Sequence, residues 1–271
     1  DGVAEVKQNE GEVVVHVPEE MPNDHIGVIA VEFTGKPVVY KEPAITSQTT
    51  KFVHDAEVIM SVGSPDIEIR YVLINKHNTS ELIVPDKRYT EPFVVDKSCT
   101  VIAQSYFEGK PVSKAVSLKL EKVTPKQAAQ VSLVIEGTLK MSVFNGDWDE
   151  MPNFDTMKPE VIEYVRAISP EPEGELQGRL FEGYIKVDTD DMYIFALTSD
   201  DGSNLYVYEE LIIDNDGLHG PQQVKGSIAL EKGWHPIRVE WFNKTGGATL
   251  NLSVGKLGSQ LHEVDASMIA R

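Results

Sequence analysis

The chain has 271 residues, of which 41% are hydrophobic, and this length suggests two or three domains with packed cores. Its net charge of −18, from 43 acidic and 25 basic residues, argues against binding to nucleic acid or to anionic membrane surfaces. The single cysteine, Cys99, excludes an intrachain disulfide and a cysteine metal site, and no apolar run is long enough to span a membrane.

The first segment, residues 1–42, contains two runs rich in β-branched residues, 13–17 and 26–33, which predict two strands. Two strands do not bury a core by themselves, so we expect them to complete a β-sandwich that lies upstream. Residues 13–37 resemble the end of the C-terminal β-sandwich of bacterial α-L-fucosidases. Because the chain begins at Asp1 without a signal peptide, we expect it to be a fragment or a processed product.

The second segment, residues 43–122, alternates apolar and polar residues in short runs such as 67–73, and turn signals such as 108–111 separate these runs. This spacing predicts a small β-sandwich. The following residues, 123–130, are polar and include one proline, which is typical of a linker.

This second segment resembles the fibronectin type III-like module at the C-terminus of chitobiases and β-hexosaminidases. The resemblance implies a spacing or packing role without catalysis. Residues 75–76 are Asn-Lys where that module usually has Asp-Gly, so the turn differs. The residues that carry the resemblance are 69–71, 89–93, Ala103 and 108–110.

The third segment, residues 131–271, predicts a second all-β unit, a barrel-like β-sandwich with long loops at one end. For residues 159–165 the sequence leaves two alternatives open, a short helix and an extended flap. The predicted strands include 131–135, 180–187, 192–198, 205–208, 237–242 and a last one through Leu250 and Leu252.

Two adjacent acids, Asp200 and Asp201, lie in a turn between two of these strands. Neighbouring side chains on an extended backbone point to opposite faces, so both carboxylates reach one cation only if the backbone between them is distorted. A non-proline cis peptide bond is one such distortion, and a bound metal ion is one reason for it. The alternative is an ordinary acidic hairpin turn whose carboxylates accept backbone N–H groups.

Several spaced motifs of the third segment resemble the PA14 domain, which is named after the anthrax protective antigen. The central motif covers residues 199–206 and continues in 214–220. The resemblance extends over about half of the chain, from near Val131 to the C-terminus. The other motifs, in the order of the family, are 144–148 with 151–154, 181–185 and 233–240.

In lectins of this family an Asp-Asp pair and an asparagine on a later loop hold calcium, and vicinal sugar hydroxyls complete its shell. The resemblance therefore implies that Asp200, Asp201 and Asn243 bind calcium and sugar, although calcium takes roughly six to eight oxygen ligands. Position 247 is glycine where some of these lectins carry an aromatic residue, so a stacking platform is missing there. Trp148, which lies between two acids, is expected to be exposed and to add a sugar contact.

Each of these residues also has a purely structural interpretation. Asn243 is typical of a turn, and a tryptophan such as Trp148 is more often part of a core than a sugar platform. Residues 214–217 resemble part of a calcium loop but lack the full spacing of an EF-hand, so we expect a structural turn. The other residues expected to be structural are Trp234, Trp241, His219 and His235.

The sequence lacks the usual catalytic motifs: there is no Gly-x-Ser-x-Gly elbow, no His-Glu-x-x-His, no phosphate loop and no cysteine nucleophile motif. A glycosidase needs two carboxylates about 5–9.5 Å apart, and none of the 43 acids forms a recognisable pair. We therefore expect that this chain is not an enzyme by itself and that a catalytic domain lies upstream.

Together these patterns predict an all-β accessory region of a secreted, periplasmic or cell-surface bacterial glycoside hydrolase, similar to an α-L-fucosidase or a hexosaminidase. Its expected ligands are a glycan or oligosaccharide and calcium. One alternative is a structural or protein-docking module without sugar binding, and another is a region that shapes the active site of the upstream domain. A metal site requires Asp200 and Asp201 to be open to solvent, whereas a docking surface would bury apolar loop residues.

Overall fold

A computed structural model describes residues 5–9, 12–16, 40–75, 84–131, 134–171 and 174–271. The secondary structure of these residues consists of strands and two short 3₁₀ helices, so the predicted all-β class is confirmed. The predicted strand at 26–33 and most of the predicted turn at 75–78 lie outside the described residues. Within the described ranges, no helix has the length and apolar character needed to cross a membrane.

The strands of the first half of the chain are β1 (Glu5–Asn9), β2 (Glu12–His16), β3 (Ala44–Thr46), β4 (Lys51–Phe52), β5 (Ala56–Ser61), β6 (Glu68–Ile74), β7 (Lys87–Arg88), β8 (Phe93–Val95), β9 (Cys99–Phe107), β10 (Lys110–Pro111) and β11 (Val116–Lys122). The strands of the second half are β12 (Leu139–Asn145), β13 (Val161–Val165), β14 (Gln177–Val187), β15 (Asp191–Asp200), β16 (Ser203–Val207), β17 (Glu210–Asn215), β18 (Gln222–Leu230), β19 (Gly233–Asn243), β20 (Thr249–Lys256), β21 (His262–Glu263) and β22 (Ile269–Ala270). The 3₁₀ helices are Phe154–Thr156 and Ala266–Met268.

The chain divides into two compact units that interleave along the sequence. Two short segments from the first hundred residues belong to the unit that the C-terminal part forms. The domain boundaries predicted at residues 42, 122 and 130 stay predictions. The first unit comprises Asp1–Ser47, Glu57–Phe93 and Cys99–Lys119, and the second comprises Gln48–Ala56, Val94–Ser98 and Leu120–Arg271.

The first unit contains a sheet with the strand order β11-β9-β6-β7, in which β10 also pairs with β9. Two antiparallel pairs, β1 with β2 and β3 with β5, complete the described strands of this unit. Its apolar residues follow the period of two that a half-buried sheet requires. In β9, for example, Val101 and Ala103 are fully buried, and Ile102 between them is half-buried.

The second unit is a β-sandwich of two sheets. The larger sheet has the order β13-β12-β14-β19-β16-β17, with β22 also paired to β14, and the smaller has the order β18-β15-β20-β21. One apolar core fills the space between them, to which the larger sheet contributes Phe181 and Trp241 and the smaller sheet Phe195 and Leu197. The longest ladder joins β14 to β19 over eleven residue pairs, from Val187 and Gly233 to Gln177 and Asn243.

Most strands predicted for the third segment lie within observed strands, but two predictions need comment. The strand predicted at 131–135 is wrong, because the described residues there are outside any strand and Ile135 is instead tied to Arg271 by two backbone hydrogen bonds of 2.9 and 3.1 Å. Of the two alternatives for 159–165, the extended one is correct, since β13 pairs with β12. Five observed strands of this segment were not predicted: β12, β17, β18, β21 and β22.

The segment predicted as a linker, residues 123–130, packs along the second unit. The N–H of Lys126 donates to the Ala229 carbonyl at 2.9 Å, and the N–H of Ala129 donates to the Trp234 carbonyl at 2.8 Å. The Tyr208 hydroxyl donates to the Gln127 carbonyl. These bonds give the polar segment a fixed position beside β18 and β19.

His235 on β19 makes stability depend on pH. It is fully buried, with Nε2 2.7 Å from the Glu231 carbonyl and Nδ1 3.0 Å from the Tyr208 hydroxyl. Burial lowers the pKa of His235 and outweighs the opposing effect of Glu231. Because the unfolded chain then binds a proton more readily than the folded chain, stability is expected to fall as pH drops from about 6.5 through the folded-state pKa.

Thermal unfolding between about pH 8 and about pH 5 checks this expectation. The acid-induced loss of stability should be smaller in His235→Gln than in the parent protein. The exposed His262 provides the matched control, and His262→Gln should keep the parental pH dependence. The same acid sensitivity in both variants would contradict a role for His235.

Candidate functional site

The Asp200–Asp201 pair lies where the chain passes from the smaller sheet, at the end of β15, to the larger sheet, at the start of β16. The peptide bond between the two acids is cis, which is the distortion that the sequence offered as one alternative to an ordinary acidic hairpin turn. Strand β19 holds the backbone on both sides of this bond. The Trp241 indole donates to the Asp200 carbonyl at 3.1 Å, and the N–H of Phe242 donates to the Gly202 carbonyl at 3.0 Å.

The two carboxylates differ in their surroundings. Asp201 is only 7% exposed, and its Oδ1 and Oδ2 accept the backbone N–H groups of His219 at 3.2 Å and Lys244 at 2.9 Å. Asp200 is half-buried, and its pKa is raised by burial and by the charge of Asp201. The expectation that both acids are open to solvent is therefore met by Asp200 alone.

His219 lies next to these two carboxylates and forms hydrogen bonds through both ring nitrogens. Its Nδ1 lies 2.9 Å from the Gly220 carbonyl and its Nε2 lies 3.1 Å from the Asn215 carbonyl, so the protonated ring can donate to both. Burial lowers the pKa of His219, but these two carbonyls and the carboxylates of Asp201 and Asp200 outweigh burial, and the net pKa is raised. As expected, His219 is a hydrogen-bonded structural residue.

Asn243, the last residue of β19, lies beside the acid pair because the N–H of the next residue, Lys244, donates to Asp201. The side chain is 1% exposed, and its Nδ2 donates to the Gly174 carbonyl at 2.9 Å. Its Oδ1 is buried and has no hydrogen-bond partner among the residues that the structure describes. Asn243 is therefore next in sequence to a residue that contacts Asp201, and its amide oxygen is unpaired within the described part of the chain, while the binding role predicted for Asp200, Asp201 and Asn243 stays a prediction.

A network of buried polar side chains lies next to the turn that carries Asp200 and Asp201. The hydroxyls of Ser199 and Ser203 lie 2.7 Å apart, and Asn215 donates to Ser199 at 2.9 Å. The Asn215 Oδ1 in turn accepts from Gln222 at 3.0 Å. Sequence analysis missed this network, although serines directly before and two residues after the Asp-Asp pair are a signal that could have indicated it.

Trp148 is half-buried, and its predicted exposure is met only in part. Its ring contacts the edge of the Phe154 ring at a centroid distance of 6.2 Å and packs in a small cluster with Phe144 and Leu180. The acids on either side of it, Asp147 and Asp149, bind Lys244 Nζ at 3.0 and 2.5 Å. These ion pairs hold the loop that carries Trp148 close to Lys244, the residue that follows Asn243. Trp241 is fully buried, as expected for a core residue.

Residues 167–267 match the family model of the PA14 domain. This part of the chain is a PA14 domain. The match does not include the segments that resemble the fucosidase and chitobiase modules. No curated protein matches the sequence.

Several solved structures are similar to the PA14 domain of this chain. The PA14 domain of the antifreeze protein MpAFP is 14% identical, with 54% of this chain and 95% of that chain covered and a TM-score of 0.45. The PA14 sugar-binding domain of an RTX adhesin is 12% identical, with 51% and 99% covered and a TM-score of 0.45. The A domain of epithelial adhesin 6 from Candida glabrata, in complex with Galβ1-3GlcNAc, is 11% identical, with 52% and 89% covered and a TM-score of 0.38.

Among the described residues of this chain, no group of three or more His, Cys, Asp or Glu side chains is arranged to hold a metal ion. Any cation at the acid pair of the PA14 domain would therefore rely on two carboxylates together with an amide oxygen and other neutral oxygens. Calcium accepts such a mixed set of oxygen ligands, whereas zinc prefers nitrogen and sulfur ligands in addition.

Proposed function

We propose that the PA14 domain binds sugar hydroxyls through a calcium ion held by Asp200, Asp201 and Asn243. The Asn243 side chain is the observation that supports this proposal. Since its Nδ2 donates to the Gly174 carbonyl, the orientation of the amide is set, and Oδ1 is the end that has no partner among the residues with described positions. An unpaired buried acceptor costs about 1–3 kcal/mol, so an oxygen-seeking ligand at this atom would be stabilising.

The donor set fits calcium. Asp200 and Asp201 would supply carboxylate oxygens and Asn243 an amide oxygen, all of which calcium takes. Each oxygen of Asp201 accepts one N–H and keeps lone-pair capacity for a cation. Burial and the adjacent negative charge raise the pKa of Asp200, and a cation between the carboxylates would relieve both effects. Bound calcium would offer its remaining coordination positions to vicinal hydroxyls of a sugar.

Position 247 leaves room for a sugar ring beside the acid pair. Apart from the adjacent residues, a Cβ atom at Gly247 would have only Asp200 Oδ2 within 4 Å among the described residues, at 3.9 Å, so there is open space beside this carboxylate. Trp148 remains a proposed sugar contact at the other rim. Because its ring already packs against Phe154, we expect it to contribute an edge rather than a full stacking face.

For the whole protein, we propose a non-catalytic accessory region of a secreted, periplasmic or surface glycoside hydrolase of a bacterium. The support is the confirmed PA14 domain, together with the resemblance of residues 13–37 and 43–122 to modules of such enzymes. In this proposal the PA14 domain holds the glycan, while an upstream domain cleaves it.

A docking role is the second candidate, and one observation favours it. Strand β13 forms one end of the strand order of the larger sheet, and its Val161, Ile162 and Tyr164 are all exposed. Apolar side chains on an edge strand are typical of a surface that another chain covers.

Calcium titration by calorimetry tests the sugar-site proposal. The parent protein should bind calcium with a Kd in the range of about 10⁻⁶ to 10⁻³ M, and Asp200→Asn should lose at least about tenfold in affinity because one carboxylate charge is removed. Asp188→Asn provides the matched control, since Asp188 is an exposed acid away from the site, and it should keep the parental affinity.

A glycan array with calcium and with a chelator should follow. Glycan binding that appears in calcium and disappears with the chelator would support the proposal. If the parent protein binds no calcium, or if Asp188→Asn lowers the affinity as much as Asp200→Asn, the calcium mechanism is wrong.

A further inference from the structure

We propose that a second cleft, on the outer face of the larger sheet, binds an amino sugar through its free ammonium group. The proposal goes beyond the calcium site and does not depend on it. The cleft has a volume of about 650 Å³, which lies within the range of small-molecule sites. Asn204, Tyr206, Arg238 and Glu240 line it.

The side chains of the cleft point away from the core. In β16, Leu205 and Val207 are fully buried in the core, so Asn204 and Tyr206 alternate to the opposite face. In β19 the same alternation places Arg238 and Glu240 on that outer face. The cleft therefore lies on the outer face of two strands, β16 and β19, that pair with each other.

The segment between β12 and β13 closes one side of the cleft and is held in two places. The N–H of Met151 donates to Asp216 Oδ1 at 2.7 Å. The Arg238 guanidinium donates to Asp155 Oδ1, also at 2.7 Å. This wall is therefore built by bonds between distant segments and does not depend on loop conformation alone.

Asn204 is the observation that points to a ligand. It is 7% exposed, it lines the cleft, and its Oδ1 is buried without a hydrogen-bond partner among the described residues. Its two cross-strand neighbours are Asp214 on β17 and Glu240 on β19. Side chains directly opposite each other on neighbouring strands lie about 5 Å apart, so three oxygen-bearing side chains form a row across the sheet.

Within this row, Asn204 Oδ1 has no donor among the described residues, and the nearby Arg238 is already engaged by carboxylates. Arg238 lies in ion pairs with Asp155 at 2.7 Å and Glu240 at 2.6 Å. The charged residues that line the cleft are four acids and one base, so its net charge is negative. A ligand that brings both N–H donors and a positive charge is therefore favoured. The charged lining residues are Asp155, Glu209, Asp216, Glu240 and Arg238.

A primary ammonium group has these properties, because it carries one positive charge and three donors. Tyr206 and Tyr208 also line the cleft and offer apolar ring surface. A hexose ring that bears a free amine would fill such a cleft better than a thin alkyl amine.

Calorimetric titration of the parent protein in a calcium chelator tests the ligand class, with four probes. Glucosamine should bind at least tenfold more tightly than N-acetylglucosamine, whose amine is blocked, and than glucose, which has none. Putrescine distinguishes the two sources of an ammonium group and should also bind at least tenfold more weakly. Equal affinity for putrescine and glucosamine would overturn the assignment of an amino sugar. If glucosamine does not bind at all, the whole proposal is wrong and the cleft holds only water.

Asn204→Leu tests the residue. Glucosamine affinity should fall at least tenfold, while the melting temperature stays equal or rises, because a buried unpaired oxygen is removed. Asn251→Leu is the matched control on β20, outside the cleft, and should keep the parental glucosamine affinity. A lower melting temperature with unchanged glucosamine affinity would show that Asn204 is structural and would overturn the proposal.

A second variant separates this site from the calcium site. Asp200→Asn should bind glucosamine as the parent protein does, with or without calcium. Loss of glucosamine binding in Asp200→Asn would overturn an independent cleft. Loss of calcium binding alone would leave the cleft intact, so the two proposals fail in distinguishable ways.

Discussion

Replacing Asp201 with alanine is expected to lower the free energy of unfolding by about 3 kcal/mol, even in the absence of calcium. The buried carboxylate accepts the N–H groups of His219 and Lys244, which lie on two different loops. Hydrogen bonds to a charged acceptor contribute about 1.5–3 kcal/mol each, and both donors would lose their partner. Urea unfolding in a calcium chelator measures the change.

Asp200→Ala is the matched control for this experiment. The Asp200 side chain is half-buried, and its charged form is disfavoured, because burial and the charge of Asp201 both raise its pKa. We expect Asp200→Ala to change the free energy of unfolding by less than about 1 kcal/mol. Equal destabilisation by the two substitutions would contradict the division of roles, in which Asp201 holds the loops and Asp200 faces the ligand.

Replacing Arg179 with methionine is expected to lower the free energy of unfolding by about 3–5 kcal/mol. Arg179 is 1% exposed, and its Nη1 donates to the carbonyls of Ser169 at 3.0 Å and Glu171 at 2.9 Å. Its Nε and Nη2 donate to Gln177 Oε1, and the guanidinium lies 5.4 Å from the centroid of the Trp241 ring. Methionine would fill much of the volume but would leave these acceptors unpaired.

Calcium affinity should fall together with stability in Arg179→Met. The segment that Arg179 holds continues to Gly174, which accepts from Asn243, and to Glu175, whose Oε1 accepts from the N–H of Gly246 at 3.1 Å. Arg179→Lys should not restore either property, because an ammonium group lacks the planar fork of the guanidinium. The exposed Arg166 is the control, and Arg166→Met should change the free energy of unfolding by less than about 0.5 kcal/mol. Normal calcium binding in a destabilised Arg179→Met would contradict the link between this segment and Asn243.

The sequence predicted the parts of the site that lie in contiguous motifs. Asp200 and Asp201 stand next to each other in a recognisable turn, and the resemblance to the PA14 domain points to Asn243 as a further candidate ligand. The orientation of Asn243 was not predictable, because it depends on the carbonyl of Gly174, 69 residues away in sequence. The contribution of Lys244 was also hidden, since a backbone N–H carries no side-chain signal.

The strands, too, were predictable only where the sequence carries a clear local pattern. The apolar alternation that predicted β14 and β15 is strong, whereas β18 begins with polar residues and contains Gly226, which weakens the strand pattern. The structure explains this glycine, because a Cβ atom at Gly226 would lie only 2.8 Å from the Ile212 Cγ2. The alternation at 131–135 gave a wrong strand because Ile135 pairs with the end of the chain instead of joining a regular ladder.

The open space at Gly247 has a consequence for how this domain can change. Gly246 has a φ of +94°, a conformation that favours glycine, but Gly247 needs no such conformation. In the part of the chain that the structure describes, a Cβ atom at Gly247 would have only Asp200 Oδ2 within 4 Å, apart from the adjacent residues. Evolution or an engineer can therefore vary position 247 freely while the strands keep the acid pair and Asn243 in place. Substitutions at this one rim position can therefore change which ligands the domain prefers without changing the residues on which its folding depends.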